Sequence, residues 1–137
     1  MHNLAFAYLA ENQLAALPLI RGVRYLNVCD NPLHQLVVAD PELRELRAER
    51  AQLTAVELDL PALRELSLRG NALAALSPTI ARSPKLHTLD LRGNALDTLP
   101  DALRGLPLAK LDLRWNPLRA APSWLDELRA RDGLVYT

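Results

Sequence analysis

Apolar residues in this chain recur in short bursts with the same internal spacing. Leu66-Ser67-Leu68, Leu89-Asp90-Leu91 and Leu111-Asp112-Leu113 each set two leucines around one polar residue. A further leucine lies three positions upstream of each burst (Leu63, Leu86, Leu108), and another two positions past a downstream asparagine (Leu73, Leu96, Leu118). Alternation with a period of two is the signature of a strand with one buried face. Here it predicts that Leu66 and Leu68 point inward while Glu65, Ser67 and Arg69 point outward. Val23, Leu26, Val28, Asn31 and Leu33 fit the same frame, as do Leu4, Ala7, Leu9, Asn12 and Leu14. Leu43, Leu46, Ala48, Ala51 and Leu53 fit with alanine in the asparagine position. The chain therefore reads as one domain over 1–137 with six repeats, starting near residues 4, 23, 43, 63, 86 and 108.

A single strand of this kind cannot bury its apolar side alone. Stacked copies would form a parallel sheet with strands about 4.8 Å apart and share one continuous core. The segments returning the chain from one strand to the next should differ along the molecule. Val38-Ala39-Asp40-Pro41 and Leu58-Asp59-Leu60-Pro61 should run extended, because proline disfavours helix in the residue before it. Pro100–Gly105 has room for a helical turn, with proline early and glycine late. Bulkier returns predict stronger curvature in the second half.

The two ends are expected to differ. Ser123-Trp-Leu-Asp126 reads as a helix start of the capping-box type, Trp124, Leu125 and Leu128 share one helical face, and Gly133 is a plausible stop. Leu134-Val135-Tyr136 would add a last edge strand, giving a C-terminal cap over about 119–137. Met1 lies three residues before the first repeat leucine, so no comparable cap precedes it. A bare repeat end exposes apolar surface and an unpaired strand edge, which points to a fragment, a second copy or a partner at that end.

The repeat L-x-x-L-x-L-x-x-N-x-L resembles the leucine-rich-repeat family, and the resemblance covers nearly the whole chain. The asparagine positions 12, 31, 51, 71, 94 and 116 are spaced like short bacterial-type repeats in the first half and like the longer common type in the second. The resemblance implies an α/β leucine-rich-repeat solenoid: a right-handed superhelix with a curved parallel sheet on the concave face and short helical or extended segments on the convex face. It also implies a ladder of side-chain amides at Asn12, Asn31, Asn71, Asn94 and Asn116, broken at Ala51, which makes the third repeat the expected weak link. In function it implies a non-catalytic module binding a protein or peptide on its concave face. Two alternatives stay open. One is the substrate-recognition part of a larger bacterial effector or enzyme, for example of ubiquitin-ligase type, whose catalytic domain lies outside this chain. The other is a self-associating structural module using the uncapped N-terminal end.

Composition narrows the field. The chain has 32 leucines but one Phe, one Met and two Trp, as expected of a core built from one small repeated unit. Sixteen Lys and Arg balance sixteen Asp and Glu, whereas a nucleic-acid binder usually carries a basic excess. No nucleic-acid partner is therefore expected. Cys29 is the sole cysteine, so no internal disulfide is possible. The first residues lack a secretory signal's basic start, and no apolar run approaches a membrane span. The expected location is cytoplasmic, or exported by a route needing no cleavable signal, with no membrane partner. Abundant Ala, Leu and Arg with few Lys fit a GC-rich bacterial source.

Function should reside in the outward positions, since the inward ones are spent on the core. The outward rows read Phe6, Tyr25, Glu45, Glu65, Thr88, Lys110; then Tyr8, Asn27, Arg47, Ser67, Asp90, Asp112; then Ala10, Cys29, Glu49, Arg69, Arg92, Arg114. Two candidate patches emerge. Phe6, Tyr8 and Tyr25, with Cys29 nearby, form an aromatic cluster of the kind that marks interfaces, or else they cover the repeat end. Arg69, Arg92 and Arg114, beside Asp90 and Asp112 and with Trp115 at the rim, form either a charged strip for a polar partner or solvated cross-strand ion pairs. Arg47 completes the candidate contact set. Catalysis finds little support. His2, His34 and His87 are scattered, and Cys29 belongs on a strand while His34 lies past the turn, a poor geometry for a nucleophile and its base. Neither zinc-type spacing nor a phosphate-binding glycine loop occurs, so no metal or other cofactor is expected.

Overall fold

In the computed structural model, residues 6–18 and 20–137 are described; Leu4 of the first repeat lies outside them. Among the described residues are nine strands: β1 (Phe6–Tyr8), β2 (Tyr25–Asn27), β3 (Gln35–Ala39), β4 (Glu45–Arg47), β5 (Ala55–Asp59), β6 (Glu65–Ser67), β7 (Thr88–Asp90), β8 (Lys110–Asp112) and β9 (Leu134–Tyr136). One α-helix, α1, spans Trp124–Ala130.

Seven strands form one parallel sheet in the order β1-β2-β4-β6-β7-β8-β9. The register places the repeat positions opposite one another. Ala7, Leu26, Leu46, Leu66, Leu89, Leu111 and Val135 form the central inward row. Leu46, Leu89 and Leu111 are fully buried. Burying one such side chain contributes about 1.5–3 kcal/mol, and no single repeat could do so alone.

The core lies between this sheet and the return segments. Early returns run extended, as the proline positions predict. They pair as a second, two-stranded parallel sheet, β3 with β5, in register from Gln35 opposite Ala55 to Ala39 opposite Asp59. Later returns are 3₁₀ turns at Pro78–Arg82 and Asp101–Gly105, which bury Ile80 and Leu103. The second is the helical turn expected from Pro100 and Gly105. Where the two kinds of return meet, polar side chains cover the edge of β5. The Leu58 N–H donates to Thr79 Oγ1 at 3.5 Å, and the Glu57 carboxylate accepts from the Ser77 and Thr79 hydroxyls at 3.1 and 2.9 Å.

The asparagines tie successive turns together. The Asn71 amide donates to the Ala48 and Leu68 carbonyls at 2.9 and 2.8 Å, and its oxygen accepts from the Ala51 and Leu53 N–H groups at 2.9 and 3.0 Å. Asn31, Asn94 and Asn116 each reach the preceding repeat in the same way, bonding Leu9, Leu68 and Leu91 carbonyls respectively. Asn12 is exposed, and its amide donates to Leu9 and Ala10 of its own turn. At Ala51 backbone replaces side chain. Arg50 and Gln52 both adopt positive φ, and the Ala51 carbonyl accepts from the Leu33 and His34 N–H groups, both at 3.2 Å.

The residue before each ladder position is left-handed in every copy: Glu11, Asp30, Arg50, Gly70, Gly93 and Trp115 all have φ between +50° and +73°. Glycine adopts this conformation freely, whereas a bulky side chain there is strained.

The last segment departs from the sequence reading in two details. Ser123 is itself in helical conformation and makes no side-chain capping bond, so the capping box is absent. The first-turn N–H groups of Leu125 and Asp126 instead donate to the backbone carbonyls of Pro122 and Ser123. The left-handed residue after α1 is Asp132, not Gly133. Gly133 is required for another reason: a Cβ there would stand 2.7 Å from the Leu128 carbonyl oxygen, which accepts the Gly133 N–H at 2.9 Å. β9 then adds to β8 in parallel.

Candidate functional site

The sheet pairs the first two outward rows in the predicted register, extended at one end by Leu134 and Tyr136 of β9, and the third row follows the strand ends; Cys29 and Asp112 are covered by their neighbours. Short strands set on a shared core hold these side chains at fixed spacing, so each row presents one residue per repeat.

Phe6, Tyr8 and Tyr25 do come together. Their ring centroids are 6.2 Å (Phe6–Tyr8), 6.0 Å (Phe6–Tyr25) and 5.1 Å (Tyr8–Tyr25) apart. Phe6 is 58% and Tyr8 68% exposed, while Tyr25 is half-buried. Cys29 is not part of that surface. It is buried, and its sulfur accepts the Glu49 N–H at 3.3 Å. Burial pushes its thiol pKa up, away from nucleophilic character. His34 sits past the turn in left-handed conformation, and no hydrogen bond joins it to Cys29 among the described residues.

The middle row serves mainly to brace the face. The side-chain oxygens of Asn27, Asp90 and Asp112 accept the N–H two residues on, from Cys29, Arg92 and Arg114, at 3.0, 3.1 and 3.2 Å. Arg47 is bound to Glu49 at 3.1 Å, and Glu49 also accepts from the Ser67 hydroxyl at 2.6 Å. Burial works to raise the Glu49 pKa, but the Ser67 and Arg47 hydrogen bonds and the charges of Arg47 and Arg50 overcome it, leaving the carboxyl below its ordinary range.

The arginine strip is largely paired. Arg92 contacts Asp90 at 2.6 Å and Asp112 at 3.4 Å, and Asp112 also holds Arg114 at 2.7 Å. Asp112 was expected to be exposed on the outward row. It is buried, at 2% exposure, beneath the two guanidiniums. Desolvation opposes its ionisation, but the Arg114 hydrogen bonds and the Arg114 and Arg92 charges win and hold its pKa below the usual value. Arg69 has no carboxylate partner among the described residues. Its guanidinium carbon lies 6.0 Å from the centre of the Trp115 ring, and that of Arg114 lies 5.5 Å from Trp115 and 5.1 Å from Tyr136. Trp115 is 65% exposed.

Across the face from β4 to β8 lies a shallow depression of about 210 Å³, lined among others by Glu45, Glu65, Arg69, Arg92 and Lys110. It is smaller than the roughly 300–1,000 Å³ of small-molecule clefts. Glu45 faces Glu65 directly across the strands. Desolvation first, then the hydrogen bond with Glu65 and its charge, pushes the Glu45 carboxyl up. This pair and Tyr136 are missing from the candidate set read from sequence. Both were signalled there, the pair by like charges in one row and Tyr136 by its place in an expected last strand. Among the described residues no cluster of three or more His, Cys, Asp or Glu could hold a metal ion, and no helix is long and apolar enough to cross a membrane.

A family model described as leucine rich repeat matches residues 61–118. A leucine-rich-repeat protein of Leptospira interrogans is similar in structure, with 26% sequence identity and a TM-score of 0.73 over 98% of this chain. The present chain spans 37% of the length of that protein. The leucine-rich repeat domain of the type III effector XopL shares 25% identity over 85% of this chain and 61% of its own, with a TM-score of 0.48. No curated protein matches the sequence.

Proposed function

We propose that this chain, a leucine-rich-repeat protein in fold, is a non-catalytic module that binds a protein or an extended peptide on the outer, concave face of its sheet. One observation carries this reading: Phe6, Tyr8 and Trp115 are held exposed, at 58%, 68% and 65%, near opposite ends of a single continuous face. Clustered exposed apolar side chains mark interaction surfaces, and Trp and Tyr are enriched among the residues that dominate binding energy at interfaces. Six spacings between seven strands give the face a span of about 29 Å, and three rows of outward residues approach the roughly 20–30 residues per side of a standard interface. The buried, unactivated Cys29 thiol supports a binding role over a covalent one.

The test is partner capture by the immobilised chain, compared with a Tyr8→Ala/Tyr25→Ala variant, a Trp115→Ala variant and a Val37→Ser variant on the opposite layer. The expected result is loss of at least about ten-fold in affinity for the two outer-face variants and none for Val37→Ser. Undiminished binding by both outer-face variants, with loss at Val37, would move the site to the other side.

Self-association through β1 is the second reading. Among the described residues β1 pairs on one side only, with β2, and it carries two of the exposed rings. Light scattering over a concentration series separates the readings: a mass that doubles with concentration, and reverts when Phe6 and Tyr8 are made polar, supports self-association.

A further inference from the structure

Most charges on the outer face neutralise one another: Arg47 with Glu49, Arg92 with Asp90 and Asp112, and Arg114 with Asp112. Four side chains on β4 to β8 and the turn after β6 have no ion-pair partner among the described residues: Glu45, Glu65, Arg69 and Lys110. They are not mixed. The two carboxylates lie side by side on β4 and β6. Lys110 lies at the far end of the same row on β8, across the neutral Thr88 of β7, and Arg69 follows the end of β6. All four line the same depression.

We infer that the occupant of this part of the face is an extended peptide whose charge changes sign along its length, with basic side chains over Glu45 and Glu65 and acidic side chains over Arg69 and Lys110. The inference rests on the face being the binding surface and names the chemistry of what lies there. Like charges opposed across a sheet are destabilising, so a cation from outside gains twice: it pairs with both carboxylates and relieves their repulsion. The same carboxylates oppose a long uniform polyanion, which would have to cross them, and this disfavours nucleic acid. At the cationic end Trp115 supplies apolar surface. It occupies a left-handed position that glycine fills in the two preceding repeats, and it lies exposed with the Arg69 and Arg114 guanidinium carbons 6.0 and 5.5 Å from its ring centre. From β4 to β8 the path covers three strand spacings, about 14 Å, or four to five residues of extended chain at about 3.3 Å each.

The test uses blocked synthetic peptides and the intact chain, read by the fluorescence of Trp115 with buried Trp124 as a constant background. One peptide places two lysines, two neutral spacers, two glutamates and a phenylalanine in that order, and a second carries the reverse order. A third alternates the same charges, a fourth replaces lysine by glutamate, and an oligothymidylate serves as the nucleic-acid probe. One of the two block peptides should bind at least about ten-fold tighter than the alternating peptide, and Glu45→Lys/Glu65→Lys should transfer the preference to the all-acidic peptide. If the all-acidic or alternating peptide binds unmodified chain equally well, if the oligothymidylate binds best, or if neither block peptide binds at about 1 mM, the charge order is overturned. Loss of protein-partner capture in Trp115→Ala under any of those outcomes would leave the face as the binding surface. Capture unchanged by every outer-face substitution would remove both.

Discussion

The guanidinium of Arg114 lies 5.5 Å from the centre of the Trp115 ring, although Trp115 must hold φ at +64° to stand there. Left-handed backbone in a residue of this kind costs about 1–3 kcal/mol, and an exposed cation–π contact returns about 0.5–1 kcal/mol. Asparagine tolerates the same backbone. Trp115→Asn should therefore match or exceed the parent in urea denaturation, by up to about 1 kcal/mol, while losing partner affinity. A stability loss above about 1 kcal/mol would show that the ring contributes to the fold after all.

The amide ladder makes a graded prediction. Asn71→Ala removes four hydrogen bonds to partly buried backbone groups of two repeats, and buried groups left unpaired cost about 1–3 kcal/mol each. With partial rescue by water, the expected loss is about 2–4 kcal/mol. Asn12→Ala removes bonds that are exposed and confined to one turn, so it should cost less than about 1 kcal/mol. Equal losses in chemical denaturation would contradict the ladder as the source of turn stability.

Hydrogen exchange should separate the turn that lacks its asparagine. The Leu33 N–H is held by the Asn31 carbonyl at 2.9 Å and the Ala51 carbonyl at 3.2 Å, where Leu53 and Leu73 use a side-chain oxygen of Asn71 or Asn94. Backbone bonds flanked by left-handed Arg50 and Gln52 open more readily than a partly buried amide clamp. Leu33 and His34 should exchange faster than Leu53 and Leu73. Equal protection would mean that the backbone substitute is as good as the amide it replaces.

These turns also show what the sequence makes legible. The strands, their register and the extended or helical returns follow from period two, from proline and from the spacing of leucines, because those features act through local geometry repeated in every copy. Burial of Asp112 and Cys29 did not follow. Both occupy outward positions, and whether an outward side chain is covered depends on neighbours in other repeats: guanidiniums on one side of Asp112, the Glu49 N–H over the Cys29 sulfur. Trp115 is visible as an aromatic at the rim, but its strain appears only once the backbone angle is known. The ends of α1 differ from the sequence expectation because Ser123 and Gly133 fit helix signals that the chain satisfies by other backbone contacts.

Glu45 and Glu65 offer a stability gain that sequence design would overlook. Their carboxyls oppose one another across β4 and β6, and Glu45 has a raised pKa. A raised carboxyl pKa means stability fully present below the unfolded value of about 4.5 and lost as pH rises through the folded value. Glu65→Gln should therefore stabilise the chain at pH 7 by about 0.2–1 kcal/mol, with the gain vanishing near pH 4. Destabilisation at neutral pH would show that Glu65 has a favourable partner.

Asp112 carries the opposite sign. Its pKa lies below 3.8 because the Arg114 and Arg92 guanidiniums outweigh the desolvation that burial imposes. A depressed carboxyl pKa contributes stability above the unfolded value and loses it as pH falls through the folded one, so acid should begin to weaken this end of the sheet below about pH 4. Glu49, also lowered, acts in the same window on the neighbouring repeats. Asp112→Asn keeps the shape and its bond to the Arg114 N–H but removes the charge that holds two arginines. The expected result is a loss of about 1–3 kcal/mol at pH 7 together with a flatter decline of stability between pH 5 and pH 2. If the variant loses stability at neutral pH but keeps the parent's acid slope, Glu49 and other carboxylates carry the acid response, and Asp112 acts only through its hydrogen bonds.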